Sequence, residues 1–328
     1  MCSNDKDYSN YSGNNNPDKK NQSKPEDAKT NEKNSIESAQ ALIKADDRQT
    51  ENNINLDNNK HQVWLNRGNK LRELGYNKAA ITSYNKAITT EPNDFWAWYQ
   101  LGNTLQELGL YSRAIDSFDK AIAIKPNDYW AWYNRGCIAL EDLNNYEEAL
   151  ISFTEAIKIR PNDYWAWFMQ ANTLRYLKRY TEALECYERL LANKPNDYNT
   201  WLYRGNTLYQ LGNLSAALAS YDKAINCPEN DYQAWYRRGE IFCNLGYYQE
   251  AIESFEQALA MEPDDDYIWY NKACCYARQG NIEQTINHLK KALEINPSEY
   301  QKLAIIETDF AQIRKSPKFH SLIKQFAF

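Results

Sequence analysis

The stretch PNDFWAWYQLGNTLQELGLYSRAIDSFDKAIAIK (residues 92–125) runs straight into PNDYWAWYNRGCIALEDLNNYEEALISFTEAIKIR (126–160) and then PNDYWAWFMQANTLRYLKRYTEALECYERLLANK (161–194). The three segments align Pro on Pro and Trp on Trp. Working outward, one Trp keeps the same phase along most of the chain. Trp64, Trp98, Trp132, Trp167, Trp201, Trp235 and Trp269 are separated by 34, 34, 35, 34, 34 and 34 residues. A period of this length marks stacked supersecondary units, each of which buries its apolar face only against its neighbours. Residues 61–299 therefore read as one repeat body rather than as two or three separate domains.

With His61 as position 1, the units span 61–94, 95–128, 129–163, 164–197, 198–231, 232–265 and 266–299. Position 8 is small throughout: Gly68, Gly102, Gly136, Ala171, Gly205, Gly239 and Ala273. Position 11 is usually Leu, as in Leu71, Leu105, Leu174 and Leu208. Positions 4, 8 and 11 fall on one face of a first helix. Gly at position 15 suits the left-handed residue that ends it. A second helix carries Ala at 20, an aromatic at 24 and Ala at 27, as in Ala80, Tyr84, Ala87 and Ala114, Phe118, Ala121. Pro then stops that helix. Asp94, Asp128, Asp163, Asp197 and Asp231 stand where an N-cap would open the next unit.

Small departures mark individual units. Residues 129–163 hold one extra residue near Leu140–Asn145, in or beside the turn. The fourth unit has Leu190 at position 27, and the seventh has Thr285 and Leu289 at positions 20 and 24.

The pattern resembles the tetratricopeptide repeat (TPR) family, whose signature has Trp at 4, Gly or Ala at 8, Tyr or Leu at 11, Ala at 20, Phe or Tyr at 24, Ala at 27 and Pro at 32. Phrases such as YNRG and DKAI look like bacterial members. The resemblance implies an all-α solenoid, a right-handed superhelix of helix-turn-helix repeats. Phe310, Ile313, Phe319, Leu322, Ile323 and Phe326 in residues 300–328 read as helices that cap the open end.

Outside the repeats, residues 1–60 are rich in Asn, Asp, Ser and Lys, with Tyr8 and Tyr11 as their aromatics. Such a segment buries too little apolar surface to offset its ordering entropy and reads as a disordered tail or tether, with a short helix over 36–43. Cys2 heads a Cys-Ser-Asn that resembles the start of a mature bacterial lipoprotein, although no apolar signal precedes it.

The net charge of -6 and pI near 5.4 argue against nucleic acid or anionic lipid as partner. No apolar run is long enough to insert in a membrane. Seven cysteines without a C-x-x-C read as reduced thiols in a cytoplasmic protein. His61, His288 and His320 are scattered, which argues against a metal site. There is no phosphate loop, nucleophile elbow or other catalytic constellation, so no cofactor is expected. The expectation is a non-enzymatic protein-interaction scaffold. The rivals are an assembly or folding factor for a membrane complex and a regulatory subunit of an enzyme.

In the family, first-helix positions 2, 5, 9, 12 and 13 line a concave groove that holds a protein or peptide segment. Carried over, this gives Trp96, Trp130 and Trp165 at position 2, and Tyr99, Tyr133, Phe168 and Leu202 at position 5. Position 9 adds Asn103, Asn172 and Asn206. Trp at position 2 is unusual, because that place is normally polar. Trp96 and Trp98 lie two residues apart, so they point about 200° apart and cannot share one core. The extra Trp either packs against the preceding unit's helices or forms an aromatic strip for a partner. Members that clamp a C-terminal carboxylate do so with Lys and Arg at positions 2, 5 and 6. Here Tyr99, Trp165 and Met169 stand at such places, which argues against a clamp.

Overall fold

The computed structural model describes residues 60–326. Of the tail expected over 1–60, all but residue 60 lies outside the described residues, and so do the helix expected at 36–43 and Cys2. By its contacts the chain divides after Glu91 into two compact units.

The first unit holds α1 (Lys60–Glu73) and α2 (Asn77–Thr90). Gly68 of α1 lies so close to the Tyr84 ring of α2 that a Cβ there would collide with it. The Tyr84 hydroxyl donates to Asn69 Oδ1 at 3.0 Å.

The second unit repeats that pair. Its first helices are α3 (Phe95–Glu107), α5 (Tyr129–Cys137), α7 (Tyr164–Tyr176), α9 (Tyr198–Gln210), α11 (Tyr232–Leu245) and α13 (Asp266–Arg278). Its second helices are α4 (Tyr111–Ile124), α6 (Tyr146–Ile159), α8 (Tyr180–Asn193), α10 (Leu214–Ile225), α12 (Tyr248–Met261) and α14 (Ile282–Ile295). Each second helix packs on its own first helix and on the next one. All regular structure among the described residues is helical, and no helix there is long and apolar enough to cross a membrane.

The small residue at position 8 sets the closeness of each pair. A Cβ on Gly136 would stand 2.8 Å from the Phe153 ring, and one on Gly239 2.6 Å from Phe255. These rings are fully buried, as are the flanking Ala149, Ala156, Ala251 and Ala258.

The N-cap reading holds in detail. Asp94 accepts from the Trp96 and Ala97 amides, Asp128 from Ala131, Asp163 from Ala166, Asp197 from Thr200 and Asp231 from Tyr232. Asp265 does the same for Ile268.

Neighbouring pairs are also tied by a polar ladder. Arg135 donates to Ser152 Oγ within its repeat (2.7 Å) and to Asp119 of the preceding one (2.6 Å). Arg204 joins Ser220 and Glu188 in the same way, and Arg238 joins Ser254 and Asp222. Where Gln170 replaces the Arg, its neighbours change with it. Gln170 donates to Thr154 at 2.8 Å, and Cys186 donates to Gln170 at 3.7 Å. A neutral trio thus replaces a charged one without leaving an unpaired buried charge.

The extra residue of 129–163 does not lengthen the turn. It is absorbed inside the first helix as a π-helical turn, Ile138–Asp142. One added residue there keeps the helix running while shifting its phase. The turn after it needs a left-handed residue, and Asn144 supplies it at φ 52°. Lys178 does so after α7 at φ 59°, where Gly212 stands after α9 at φ 76°. Both turns close alike: Lys178 and Gly212 amides bond carbonyls three residues back, at Arg175 and Tyr209.

After α14 come α15 (Pro297–Ile306), two short 3-10 turns, and α16 (Pro317–Gln325). Phe310, Ile313, Phe319 and Leu322 are buried against Tyr270, Leu289 and Leu293 of the last pair, with Ile323 and Phe326 partly covered. Arg278 and Asp309 pair at 2.7 Å across the same contact. Burying an aromatic of this size stabilises by about 1.5–3 kcal/mol.

Two substitutions test this packing. Gly136→Leu must drive a side chain into the Phe153 ring and lowers stability by roughly 1–3 kcal/mol or more. An unchanged denaturation midpoint would refute the close contact. Lys178→Gly relieves a left-handed Lys and raises stability by about 1 kcal/mol; a lower midpoint would show that the Lys side chain contributes more than the strain costs.

Candidate functional site

The site begins with the N-cap Asp. By fixing the first turns of α3, α5 and α7, it orients the five residues that follow: Phe-Trp-Ala-Trp-Tyr, Tyr-Trp-Ala-Trp-Tyr and Tyr-Trp-Ala-Trp-Phe. The central Ala97, Ala131 and Ala166 are fully buried. The two Trp flanking each Ala therefore leave on opposite sides.

The position-4 Trp goes inward, but only in part. Trp64 is buried, while Trp98, Trp132, Trp167, Trp201, Trp235 and Trp269 are half-buried. This corrects the expectation of a core face shared by positions 4, 8 and 11. In five of these six the indole N–H is bonded to the turn before its helix. Trp98 donates to the Pro92 carbonyl (2.9 Å), Trp132 to Pro126 (2.9 Å), Trp167 to Pro161 (2.8 Å), Trp201 to Pro195 (2.7 Å) and Trp269 to Pro263 (2.8 Å). A polar tip bonded to a surface turn keeps one edge of the ring in water.

The position-2 Trp goes outward. Trp96, Trp130 and Trp165 are 53%, 49% and 57% exposed. Each ring stands edge-on to the position-5 ring of its own helix: Trp96 to Tyr99 at 5.9 Å, Trp130 to Tyr133 at 5.9 Å and Trp165 to Phe168 at 6.3 Å. Each also stands edge-on to the position-1 ring, Phe95, Tyr129 or Tyr164. The same three-ring arrangement thus occurs in three successive repeats.

The other expected groove residues separate by depth. Tyr99 and Tyr133 are half-buried. Phe168 and Leu202 are buried, Phe168 against Tyr187 and Tyr203 and Leu202 in a cluster with Tyr198 and Tyr221. Those two support the surface rather than form it. The Asn side chains are half-buried and already engaged. Asn172 Oδ1 accepts from the Tyr187 hydroxyl and Asn206 Oδ1 from Tyr221, both at 2.8 Å. Asn103 Oδ1 accepts from Asn134, which also donates to Tyr99 and so joins two repeats. Asn at position 9 thus partners Tyr at position 24. Where Phe replaces that Tyr, position 9 varies: Cys137 beside Phe153, Glu240 beside Phe255 and Asn103 beside Phe118.

Two features escaped the sequence reading. First, the position-1 ring underlies each exposed Trp. Its hydroxyl also reaches the next repeat's cap: Tyr129 donates to Asp163 Oδ1 and Tyr164 to Asp197 Oδ2, both at 2.8 Å. Burial first, then the bond to Asp163, pushes the Tyr129 phenol far above its ordinary value. Second, a cation lies over each position-1 ring: Lys125 over Phe95 (4.9 Å), Arg160 over Tyr129 (4.3 Å) and Lys194 over Tyr164 (4.4 Å). Arg160 also lies 5.4 Å from the Trp130 ring. The signal was there in the sequence: an aromatic at position 1 recurs with a Lys or Arg just before the next Pro.

Among the described residues no cluster of His, Cys, Asp and Glu could hold a metal ion.

Four family models described as "Tetratricopeptide repeat" match residues 95–128, 117–151, 168–234 and 245–304, and one described as "TPR repeat" matches 68–109. Among solved structures, MamA from Desulfovibrio magneticus is 22% identical, with 51% of this chain and 94% of that one covered and a TM-score of 0.47. A tetratricopeptide repeat protein from Parabacteroides merdae is 18% identical, with 74% and 95% covered and a TM-score of 0.45. PilW, a type IV pilus biogenesis factor, is 22% identical, with 63% and 96% covered and a TM-score of 0.49. No curated protein matches the chain.

The two Trp classes should respond differently to losing the indole N–H. Trp132→Phe forfeits the Pro126 bond and costs about 1 kcal/mol. Trp130→Phe changes stability by no more than about 0.5 kcal/mol. Equal losses in a denaturant titration would contradict the division between inward and outward Trp.

Proposed function

The chain belongs to the tetratricopeptide repeat family, and we propose that it is a non-enzymatic scaffold that holds an extended or helical segment of a partner protein on the strip Trp96, Trp130 and Trp165. The division of the chain into a tail over 1–60, seven repeats over 61–299 and a cap over 300–328, and its cytoplasmic setting, belong to the same reading.

One observation carries it. Three half-exposed Trp recur at one phase, each held edge-on by two rings of its own helix. A fold that needed these Trp for its core would cover them, as it covers Ala97, Ala131 and Ala166 beside them. Held rings lose little side-chain freedom on binding, which is why Trp so often dominates an interface. Tyr99 and Tyr133 border the strip, and Asn103, Asn172 and Asn206 keep its base in register through the bonds described above. Phe168 and Leu202 contribute from beneath.

Charge narrows the partner's chemistry. Lys125, Arg160 and Lys194 are exposed beside the strip, one per repeat, with Lys125 shared with Asp128 at 2.9 Å. The first helices also begin there, with the positive ends of their dipoles. A segment whose apolar side chains alternate with acidic ones meets both demands.

The test is capture of the partner by the full chain, followed by a dissociation constant for the captured segment. Trp96→Ala, Trp130→Ala and Trp165→Ala each weaken binding by about 30-fold where the residue is a hot spot, with the unfolding midpoint little changed. Added salt weakens binding further, through the cations. Retention of full affinity by the triple variant, with its fold intact, would overturn the proposal.

A further inference from the structure

Cysteine is the chemistry the binding surface leaves unused. Among the described residues Cys137, Cys186, Cys227, Cys243, Cys274 and Cys275 are in no disulfide. Cys243 of α11 and Cys275 of α13 meet from the first helices of adjacent repeats with their sulfurs 3.2 Å apart, the Cys275 thiol donating to Cys243.

The surroundings make this a specific pair. Cys275 is fully buried in the cluster with Tyr236, Ile252 and Phe255, on the side facing the preceding repeat. Its neighbour Cys274 turns the other way, into the cluster with Leu289 and Tyr300 beneath the C-terminal helices. Cys243 is only partly buried, so a small reagent reaches it first. The two thiols are also electrically unlike. The hydrogen bond from Cys275, with help from the Arg278 guanidinium, holds the Cys243 thiol below its usual value, although burial, Asp309 and Glu240 oppose the shift. Donating that bond, and burial, push Cys275 up. The partly buried Cys243 sulfur is thus placed to attack and the buried Cys275 sulfur, 3.2 Å away, to resolve.

We propose that Cys243 and Cys275 are a redox-modified dithiol that the disulfide of a small thiol oxidises to an intrachain bridge tying α11 to α13. Cys243 attacks one sulfur of the small disulfide as a thiolate, and the first small thiol leaves with the proton Cys243 gave up. The mixed disulfide at Cys243 is then attacked by the Cys275 sulfur. The new S–S bond forms as the second small thiol leaves, carrying the Cys275 proton. Two electrons and two protons pass to the small disulfide, which is reduced to two thiols, and excess small thiol reverses the sequence. The pair lies on α11 and α13, away from the Trp strip on α3, α5 and α7, so the proposal stands apart from the binding function. Its physical effect is to restrain the unfolded chain between residues 243 and 275, which raises the unfolding temperature.

The test equilibrates the full chain with glutathione and glutathione disulfide at graded ratios, then traps thiols and maps peptides without reduction. Two of the seven thiols should vanish together, and a single linked peptide should join Cys243 to Cys275. The oxidised chain should melt higher than the reduced one. Cys275→Ala should leave glutathione trapped on Cys243, and Cys243→Ser should abolish both the bridge and the melting shift. Because Cys243 is partly exposed, its variant carries the test even if Cys275→Ala fails to fold. If both thiols stay free at ratios that fully oxidise a reference dithiol, or if Cys243 joins Cys274 or another cysteine instead, the proposal is wrong.

Discussion

A helix pair can close only where one residue of the first helix takes almost no room, and this chain meets that condition in every repeat. The Gly or Ala at position 8 lies against the aromatic at position 24, or against Leu289 in the last pair. A single added carbon on Gly136 or Gly239 would already enter the ring. Because the ring cannot retreat from between two buried Ala, the distance between the two helices is fixed. Everything else takes its position from that distance. The N-cap Asp, the ring at position 1 and the two Trp emerge at the same height in repeat after repeat, so a surface feature becomes periodic once the core is.

The polar links then carry the period from one repeat to the next. The Arg–Ser–acid ladder joins residues about half a period apart and the Tyr-to-cap bonds residues about one period apart, and both satisfy groups that would be costly to leave alone. Gln170, Thr154 and Cys186 show the constraint at work: Cys186 of the same repeat and Thr154 of the preceding one both change where Gln170 replaces the Arg. The exposed charges of this ladder add little as isolated pairs. Their service is to specify which faces meet. In the same way Asn172 and Asn206 answer Tyr187 and Tyr221, so part of what resembles a binding position is occupied by internal bonding.

Much of this was legible in the sequence because it depends on spacing. The Trp phase located the helices, Pro and Asp marked their ends, and a two-residue separation placed Trp130 opposite Trp132. The failures came where spacing alone is silent. A residue added to 129–163 could have lengthened the turn, but a π turn at Ile138–Asp142 leaves the turn short and the hydrogen bonding continuous. The Trp at position 4 reads as core by periodicity, yet in five repeats it is half-buried with its N–H bonded to the Pro carbonyl. Phe168 and Leu202 share a position with Tyr99 and Tyr133, but spacing does not tell that the first two are buried and the second two half-buried. The meeting of Cys243 with Cys275 needs the register between repeats, which no single repeat encodes.

Trp130 and Trp132 thus divide two tasks between neighbouring residues of one helix: the second pins a turn, and the first is held out to solvent by rings behind it. The most direct measurement replaces Trp96, Trp130 or Trp165 in the full chain with a photo-crosslinking amino acid, and compares each with the same replacement at Ile151, an apolar side chain 52% exposed on a second helix. The account predicts that all three Trp positions crosslink to one continuous segment of one partner, in an order that follows the repeats, while position 151 does not. Crosslinks no stronger than at 151, or scattered over unrelated proteins, would contradict it.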